Sequence, residues 1–334
     1  MKQKLLITLM IFLFTSLLLV ILSPEPVNSL IEFYRGPFST RYSFGSFLSI
    51  ASLLVIAGTG VSISFRGGQF NLGGEGQVYS GAVAALITAL MLPALPGFLG
   101  KPLLLLISLL AGAAIAASSG WLRYHFSIHE LISSYLISSG LVYFCDYLIT
   151  GPLRDHESFL LATPRIPEAY HLMRILPPSP LHTGALIALA VVFITALWLA
   201  RGVSGYRLRI FGENPSFARF GGIRERTYRI LPITISGALY GLAGGIALLG
   251  VQHRGIQGFT AGIGWNGIAV ALIAGLSPGM TIYAALLMAY IQIGIAAAMA
   301  GASVTYDLGL IVQGMIMLTV TLRIFGSRKR EELL

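Results

Sequence analysis

Residues 66–77 read RGGQFNLGGEGQ and separate two apolar runs, 45–65 and 78–95. The stretch holds five glycines together with an arginine, an asparagine, two glutamines and a glutamate. Lipid supplies no partners for the backbone groups that such an irregular segment leaves unpaired, so it must be shielded by protein or line a wet cavity. An ionisable side chain in the membrane interior costs roughly 2.5–3.5 kcal/mol on insertion scales. The stretch therefore predicts a polar pathway through a membrane protein.

The composition agrees with a membrane protein throughout the chain. Of the 334 residues, 55% are hydrophobic and only 10% are charged, and the mean hydropathy is +0.81. Crossing a bilayer takes about 20 apolar residues. Apolar runs that approach this length are 4–22, 45–65, 77–95, 102–122, 128–149, 182–200, 231–250, 263–276, 280–299 and 307–325. We therefore expect an all-α polytopic membrane protein with about ten transmembrane helices, of which 263–276 is a short or broken span.

The segments between these runs are too short to form a soluble domain. Two connections are longer, at 151–181 and 201–230. The first run follows Lys2 and Lys4, as the core of a secretory signal does, but it is longer than a typical signal core and lacks a small-x-small cleavage pattern. We expect it to be retained, and residues 1–334 to form a single transmembrane domain.

Positive charge is distributed unevenly along the chain. With ten spans and the N-terminus inside, 15 of the 22 Lys and Arg residues fall on the inner side. The positive-inside rule thus explains the net charge of +9 without a nucleic-acid partner. We expect both termini in the cytoplasm, 201–230 as a cytoplasmic loop and 151–181 as an extracytoplasmic loop.

The 201–230 connection carries seven arginines and a compact helix signal. A favoured N-cap, a proline at the first helical position and a glycine stop are supplied by Asn214, Pro215 and Gly221-Gly222. The predicted helix, 215–220, places Phe217 and Phe220 on one face. A helix this short is marginal alone, so we interpret it as an element that docks into a groove on a cytoplasmic protein. The alternative is an arginine-rich loop that fixes orientation and contacts anionic membrane lipid.

A second glycine-rich block resembles the first. Residues 259–272 read FTAGIGWNGIAVAL, and 70–86 read FNLGGEGQVYSGAVAAL. In the expected topology the two blocks follow spans of opposite direction, so they predict an inverted repeat with broken helices and a substrate site where the halves meet. An amide and an aromatic ring there suit a planar polar ligand. The residues expected to line the pathway are Asn71, Glu75, Gln77, Trp265 and Asn266.

Nothing in the sequence indicates an enzyme active site. The G-x-G-x-x-G match at 262–267 lies in an apolar membrane sequence rather than after a strand, and there is no Walker A motif. The histidines are scattered, and Cys145 lies in an apolar run, so we assign no catalytic residue, no metal site and no cofactor in this chain. Asp146, Asp307 and Glu130 lie near predicted span ends, where interfacial anchoring is the default.

These motifs together resemble the permeases of bacterial binding-protein-dependent ABC importers, in the sugar and nucleoside branch related to the branched-chain amino acid permeases. FRGGQFNLGGEGQ at 65–77 resembles the F-R-x-G-x-F-N-I-G-x-E-G-Q signature of that branch. RLRIFGENPSFARFGGI at 207–223 resembles its cytoplasmic R-x-x-G-x-N-P-x-A-A-R-Y-x-G-I segment, with Phe217 at a position usually small. Further matching blocks, SGALYGLAGGIALLGVQHR and GFTAGIGWNGIAVALIAGLSP, occupy 236–254 and 258–278.

The resemblance implies a permease subunit in the bacterial inner membrane with several partners. These are a cytoplasmic ABC ATPase that binds the ATP, a second homologous permease forming a heterodimer, and an extracytoplasmic substrate-binding lipoprotein. The signature is most similar to that of nucleoside permeases, and some spirochaete members are associated with riboflavin. The segment that would engage the ATPase comprises Gly212, Glu213, Asn214, Pro215, Phe217, Arg219 and Phe220.

Two alternatives stay open. One is a sugar permease of the same family. The other is an ion-coupled secondary transporter in which Glu75 or Asp307 carries protons and no ATPase is needed.

Overall fold

A computed structural model of the chain describes residues 2–301, 311, 313–315 and 318, and the side chains of 2–7 are outside this description. The helices in chain order are α1 Lys2–Leu22, α2 Pro26–Ser39, α3 Arg41–Arg66, α4 Gly74–Met91, α5 Gly97–Phe126, α6 Glu130–Thr150, α7 Gly184–Arg201, α8 Val203–Glu213, α9 Pro215–Phe220, α10 Glu225–Ala247, α11 Ile263–Ile273 and α12 Pro278–Gly301. A π-helical turn, Leu248–Gln252, extends α10. A 3-10 turn, Glu168–Tyr170, lies between α6 and α7.

The prediction of an all-α polytopic membrane protein is confirmed. Six of the described helices are long and apolar enough to cross a membrane, namely α3, α5, α6, α7, α10 with its π turn, and α12. With 11 residues, α11 covers about 16 Å, roughly half of the hydrocarbon core. The number of ten spans is not confirmed, and the predicted run 307–325, with Asp307, lies largely outside the described residues.

Two segments that the sequence suggested were loops are helical. The first is α2, between the first two apolar runs, and it packs its buried face on α12. The second is α8, in the first half of the 201–230 connection, which buries Gly205, Leu208 and Phe211 at a spacing of three. Both helices mix polar and apolar residues, so a search for membrane-length apolar runs passes over them. Their short apolar periodicity is the signal that identifies them.

α3 and α10 form the centre of the bundle, and most of the surface of each is buried. α10 packs on α3, α4 and α5. Its crossing with α5 is close, because a Cβ on Gly241 would overlap the carbonyl oxygen of Ser108 and one on Gly237 would overlap the Cβ of Ala116. Small residues let membrane helices approach in this way. This tight centre holds the backbone around the two glycine-rich blocks.

We expect Gly241→Ala to destabilise the protein by about 1–3 kcal/mol, because the added methyl group forces the α5–α10 crossing apart. The measurement is thermal unfolding of the protein in detergent. Gly140→Ala on α6 is the matched control, because a Cβ there meets nothing within 4 Å. Equal melting temperatures for the two variants would contradict the close crossing.

Candidate functional site

The two glycine-rich blocks meet inside the bundle. α4 begins at Gly74 and α11 begins at Ile263, and a Cβ on Gly264 would overlap the backbone nitrogen of Glu75. Each helix is preceded by irregular backbone, 67–73 for α4 and 253–262 for α11. We call the contact between the first turns of α4 and α11 the junction. The helix breaks therefore occur where the glycine-rich sequence predicted them.

From the junction, α4 and α11 run to opposite ends of the bundle. α11 leads to Leu276, whose carbonyl oxygen accepts a 2.6 Å hydrogen bond from Nε of Arg66, close to the end of α8. α4 leads to Leu92, whose carbonyl oxygen accepts a hydrogen bond from Tyr170 in the 151–183 connection. We call these the arginine-rich end and the 151–183 end. The opposed directions fit an inverted repeat, which itself stays a prediction.

Glu75 holds the second block onto the first. Its Oε1 accepts hydrogen bonds from Oγ1 of Thr260 and, at 3.1 Å, from the backbone nitrogen of Gly262. Its Oε2 accepts a 2.9 Å hydrogen bond from the backbone nitrogen of Gly264. The carboxylate therefore lies at the N-terminus of α11, where unpaired N–H groups and the helix dipole favour an anion. Gly262 has a φ of +75°, which a side chain would strain.

Asn71 and Gln77 pair with each other and are completely buried. Nδ2 of Asn71 donates to Oε1 of Gln77 at 2.8 Å and to Oγ of Ser236 at 3.0 Å. Nε2 of Gln77 returns a 3.0 Å hydrogen bond to Oδ1 of Asn71. The pair fastens the irregular 67–73 segment to α4 and α10. These hydrogen bonds satisfy both buried amides, as buried polar groups require, and a place for the pair on the pathway stays a prediction.

Helix α6 supplies further contacts to the junction that we did not predict. Oγ of Ser134 accepts a 3.1 Å hydrogen bond from the backbone nitrogen of Leu72, and Oγ of Ser138 accepts one of 2.8 Å from that of Gly76. The spacing of four residues puts both serines on one helix face, a pattern visible in the sequence. This face of α6 therefore satisfies backbone groups that the glycine-rich segment leaves free.

The two acidic residues of α6 bind protein groups rather than only the membrane interface. Asp146 accepts hydrogen bonds from Tyr79 on α4 and, at 3.3 Å, from the backbone nitrogen of Gly258, which immediately precedes the second block. Glu130 is buried, with its Oε2 3.3 Å from Nε of Arg123. Asp146 therefore ties α6 to α4 and to the backbone just before the second block, and Glu130 ties it to the end of α5.

Asn266 and Trp265 have different surroundings. Asn266 is 2% exposed, and its Oδ1 is buried without a hydrogen-bond partner among the described residues. It lines a cavity of about 410 Å³ between α3, the π turn, residues 259–263 and α12. The Trp265 ring lies 6.2 Å from that of Tyr135 on α6. The predicted pathway residues thus have four different settings. Glu75 clamps α4 to α11 through the hydrogen bonds described above, which we call the Glu75 clamp. Asn71 and Gln77 form a buried pair, Trp265 lies beside α6, and Asn266 lies at the cavity.

At the arginine-rich end, α9 occupies the residues predicted for it. Oδ1 of Asn214 accepts a 2.9 Å hydrogen bond from the backbone nitrogen of Phe217, which is the expected N-cap. Phe217 is 63% exposed and Phe220 is 93% exposed, whereas Ala218 between them is fully buried. The helix therefore rests on Ala218 and presents two aromatic rings to its surroundings.

One ion pair joins α9 to α10, and a close backbone contact joins the preceding helix α8 to α3. Glu225, the first residue of α10, pairs with Arg219 at 3.3 Å and with Arg229 at 2.7 Å. Gly212 lies against the carbonyl oxygen of Arg66 at the end of α3, and a Cβ on Gly212 would overlap that oxygen. Glu213 and Pro215 are exposed beside them. α9 is therefore linked to α10 directly and to α3 through α8.

Residues 43–321 match the family described as "Branched-chain amino acid transport system / permease component". The chain belongs to this permease family. It is 32% identical to the probable riboflavin import permease protein RfuC of Treponema pallidum, over 92% of this chain and 81% of the relative. It is 30% identical to the guanosine ABC transporter permease protein NupP of Bacillus subtilis, over 78% and 76%. It is 27% identical to the glucose ABC transporter permease protein TsgB13 of Haloferax volcanii, over 93% and 84%.

These matches confirm the family that the motifs indicated. With six candidate spans in its described part, the permease is a multi-pass membrane protein of an ABC transport system.

At its 151–183 end, the permease has three histidines near one another. The rings of His171 and His253 stack with centroids 3.7 Å apart. His182 is fully buried, and its Nδ1 accepts a 3.1 Å hydrogen bond from the backbone nitrogen of Gly184. Burial lowers the pKa of His182 to about 4. Burial, with the neighbouring His171, Arg174, Arg165 and His182, lowers the pKa of His253 to about 4.

The permease is therefore expected to lose stability in acid through these rings. As the pH falls from 6.5 to about 4, the unfolded chain binds protons that the folded chain excludes. For the buried His182 ring, the free energy of unfolding should fall by about 1.4 kcal/mol per pH unit in this window. His182→Asn, which keeps an acceptor for Gly184, should flatten the dependence of the melting temperature on pH. The control is His125→Asn, at an exposed site. If the melting temperature of His182→Asn depends on pH as steeply as that of the control, the prediction is wrong.

Proposed function

We propose that this permease is a transmembrane subunit of a binding-protein-dependent ABC importer that moves a nucleoside or a nucleoside-like heterocycle, such as riboflavin, into the cytoplasm. The family match over 43–321 carries the proposal. Two relatives support the cargo class, because their names give riboflavin and guanosine. Both are planar heterocycles attached to a polyol or a ribose. A sugar cargo is the alternative. It has less support, because the relative named for glucose is 27% identical, below the riboflavin and guanosine relatives.

In the proposed cycle, this chain supplies the path and its partners supply cargo and energy. A substrate-binding lipoprotein delivers cargo to the 151–183 end, on the extracytoplasmic side. A cytoplasmic ABC ATPase, which binds the ATP, receives α9 at the arginine-rich end. A second homologous permease completes the membrane part as a heterodimer. The chain needs no cofactor of its own, lies in the bacterial inner membrane, and has both termini in the cytoplasm.

A continuous set of contacts supports the proposed coupling between α9 and the junction. α8 precedes α9 and meets α3 where Gly212 touches the Arg66 backbone. Nε of Arg66 holds the carbonyl oxygen of Leu276, just after α11, at 2.6 Å. The other end of α11 is held by Glu75 of α4. Closure of the ATPase on α9 would therefore move α11 relative to α4, and the two permeases would rock to open a central path inward.

The rival mechanism, ion-coupled transport through Glu75, has less support. The Glu75 carboxylate accepts hydrogen bonds from one hydroxyl and two backbone N–H groups, which is the arrangement of a fixed structural anion. Binding the N-terminus of α11 therefore accounts for a glutamate at this position without a role in ion transport.

Co-purification tests the proposed function. The chain is tagged, isolated under mild detergent with whatever binds it, and the partners are identified. We expect an ABC ATPase and a second permease, and we expect guanosine or riboflavin with its binding protein to stimulate ATP hydrolysis. A chain that purifies without an ATPase would overturn the proposal.

A further inference from the structure

The cavity beside the junction has the size and position of a ligand site. Its volume of about 410 Å³ falls in the range of small-molecule sites, roughly 300–1,000 Å³. Tyr42, at the start of α3, and Pro180, in the 151–183 connection, contribute to its lining. Tyr42 is 57% exposed, so this side marks the mouth. The cavity therefore leads from the 151–183 end toward the junction.

One deeply buried polar group in the cavity lining lacks a partner among the described residues. Asn266 is 2% exposed, and its Oδ1 makes no hydrogen bond within the described part of the chain. Leaving a buried acceptor unpaired costs about 1–3 kcal/mol. Two more side-chain amides, Gln252 and Gln292, line the same space. A ligand that donates an N–H to Asn266 would remove this cost.

The backbone around the cavity is irregular in the way that binding sites often are. Gln252 and Val251 come from the π turn that extends α10, and π turns recur at functional sites. Ala261 also lines the cavity and has a φ of +47°, a conformation that costs a non-glycine residue about 1–3 kcal/mol. The Glu75 hydrogen bonds to Thr260 and Gly262 hold Ala261 from both sides. The protein therefore maintains strain at this wall.

Charged side chains are absent from the part of the lining that the structure describes. No Asp, Glu, Lys, Arg or His of these ranges lines the cavity. An ionic ligand would lose its hydration there without gaining a counter-ion. The apolar walls include Leu53 and Leu54, and Phe259 adds an aromatic ring. Amides pair with adjacent N–H and C=O or ring-nitrogen groups, as Asn and Gln do with base edges.

We propose that this cavity is an intramembrane binding site for the permease's cargo, selective for uncharged planar heterocycles over their phosphorylated forms. Oδ1 of Asn266 accepts a hydrogen bond from a ring or exocyclic N–H of the ligand. The inference rests on the proposed function for the nature of the cargo. It places recognition within one permease chain, next to the Glu75 clamp, and excludes nucleotides by desolvation.

Thiol protection tests the site directly. The assembled complex in nanodiscs carries Ser46→Cys, which lines the cavity, in a Cys145→Ser background. Guanosine or riboflavin at about ten times its Kd should slow alkylation of the new thiol about tenfold. GMP and FMN should leave the rate unchanged. The control is Ser43→Cys, one turn earlier on α3 and absent from the lining. The proposal would be overturned if guanosine and riboflavin changed the alkylation rate by the same factor at both positions. It would also be overturned if GMP or FMN slowed alkylation at position 46.

Two variants test the role assigned to Asn266. Asn266→Leu should raise the guanosine or riboflavin concentration for half-protection about tenfold, the value of one hydrogen bond. Ile50→Trp, which fills the cavity from α3, should abolish protection. If the wild-type complex imports guanosine or riboflavin with ATP and both variants keep full protection, the cavity is the wrong site and the proposed function stands. If the wild type imports neither compound, the cargo assignment in the proposed function fails. The cavity then stands as a site for uncharged heterocycles if either compound still slows alkylation, and it fails if neither does.

Discussion

Glu75→Ala is expected to abolish cargo uptake and to lower the free energy of unfolding by about 3 kcal/mol or more. The variant leaves three donors without their acceptor, namely Oγ1 of Thr260 and the backbone nitrogens of Gly262 and Gly264. Each unsatisfied buried donor costs about 1–3 kcal/mol. The N-terminus of α11 also loses its compensating negative charge. The measurements are uptake into proteoliposomes and the melting temperature of the purified complex.

Two further glutamate variants serve as controls for Glu75→Ala. Glu157→Ala, at an exposed site in the 151–183 connection, should leave uptake and melting temperature unchanged. Glu75→Gln keeps one acceptor oxygen but presents an NH₂ group to another donor. Its uptake and melting temperature should therefore lie between those of the wild type and Glu75→Ala. Wild-type uptake and stability in Glu75→Ala would show that the clamp between α4 and α11 is unimportant.

Phe217→Ala is expected to reduce uptake at least about tenfold while ATP hydrolysis continues and the complex still forms. Truncating a central aromatic residue at an interface commonly costs 2 kcal/mol or more, which is roughly 30-fold in an equilibrium constant. The Phe217 ring is 63% exposed on a helix held by the Arg219–Glu225 ion pair, so it is available to a partner. Loss of the ring should uncouple the ATPase from the path. Phe193→Ala, at a 69% exposed site on α7, is the matched control.

The N-cap of α9 provides an independent test of the same element. Asn214→Ala removes the hydrogen bond to the backbone nitrogen of Phe217 and should cost the helix about 1 kcal/mol. We expect a smaller loss of uptake than in Phe217→Ala, and recovery in Asn214→Ser, which restores a capping oxygen. Full uptake in both Asn214→Ala and Phe217→Ala would remove α9 from the coupling mechanism.

Local signals in the sequence were sufficient for several elements of the fold. The asparagine, proline and glycine around 214–222 specify α9 because capping and turn preferences act over a few residues. The glycine-rich blocks likewise locate the starts of α4 and α11. By contrast, α8 has no membrane-length run, and its helix depends on packing Leu208 and Phe211 against the bundle. Tertiary contacts decide such segments, and composition alone does not show them.

The site could be predicted only in part, because its contacts join residues far apart in the chain. Polarity and position in the two glycine-rich blocks group Asn71, Gln77 and Asn266, whereas the structure pairs the first two and places the third at a cavity. Glu75 meets Gly262 and Gly264 across more than 180 residues. No local pattern specifies such partners. The similarity of the two glycine-rich blocks was the one signal that they belong together.

Reconstitution of the complete system is the most direct test of the central claim. Proteoliposomes would contain this permease, its partner permease and the ATPase, with the binding protein on the opposite side from the ATPase. We predict that uptake of guanosine or riboflavin requires both ATP hydrolysis and the binding protein, and that collapsing the proton gradient has no effect. Accumulation of either compound by this chain alone, driven by a proton gradient without ATP, would contradict the account.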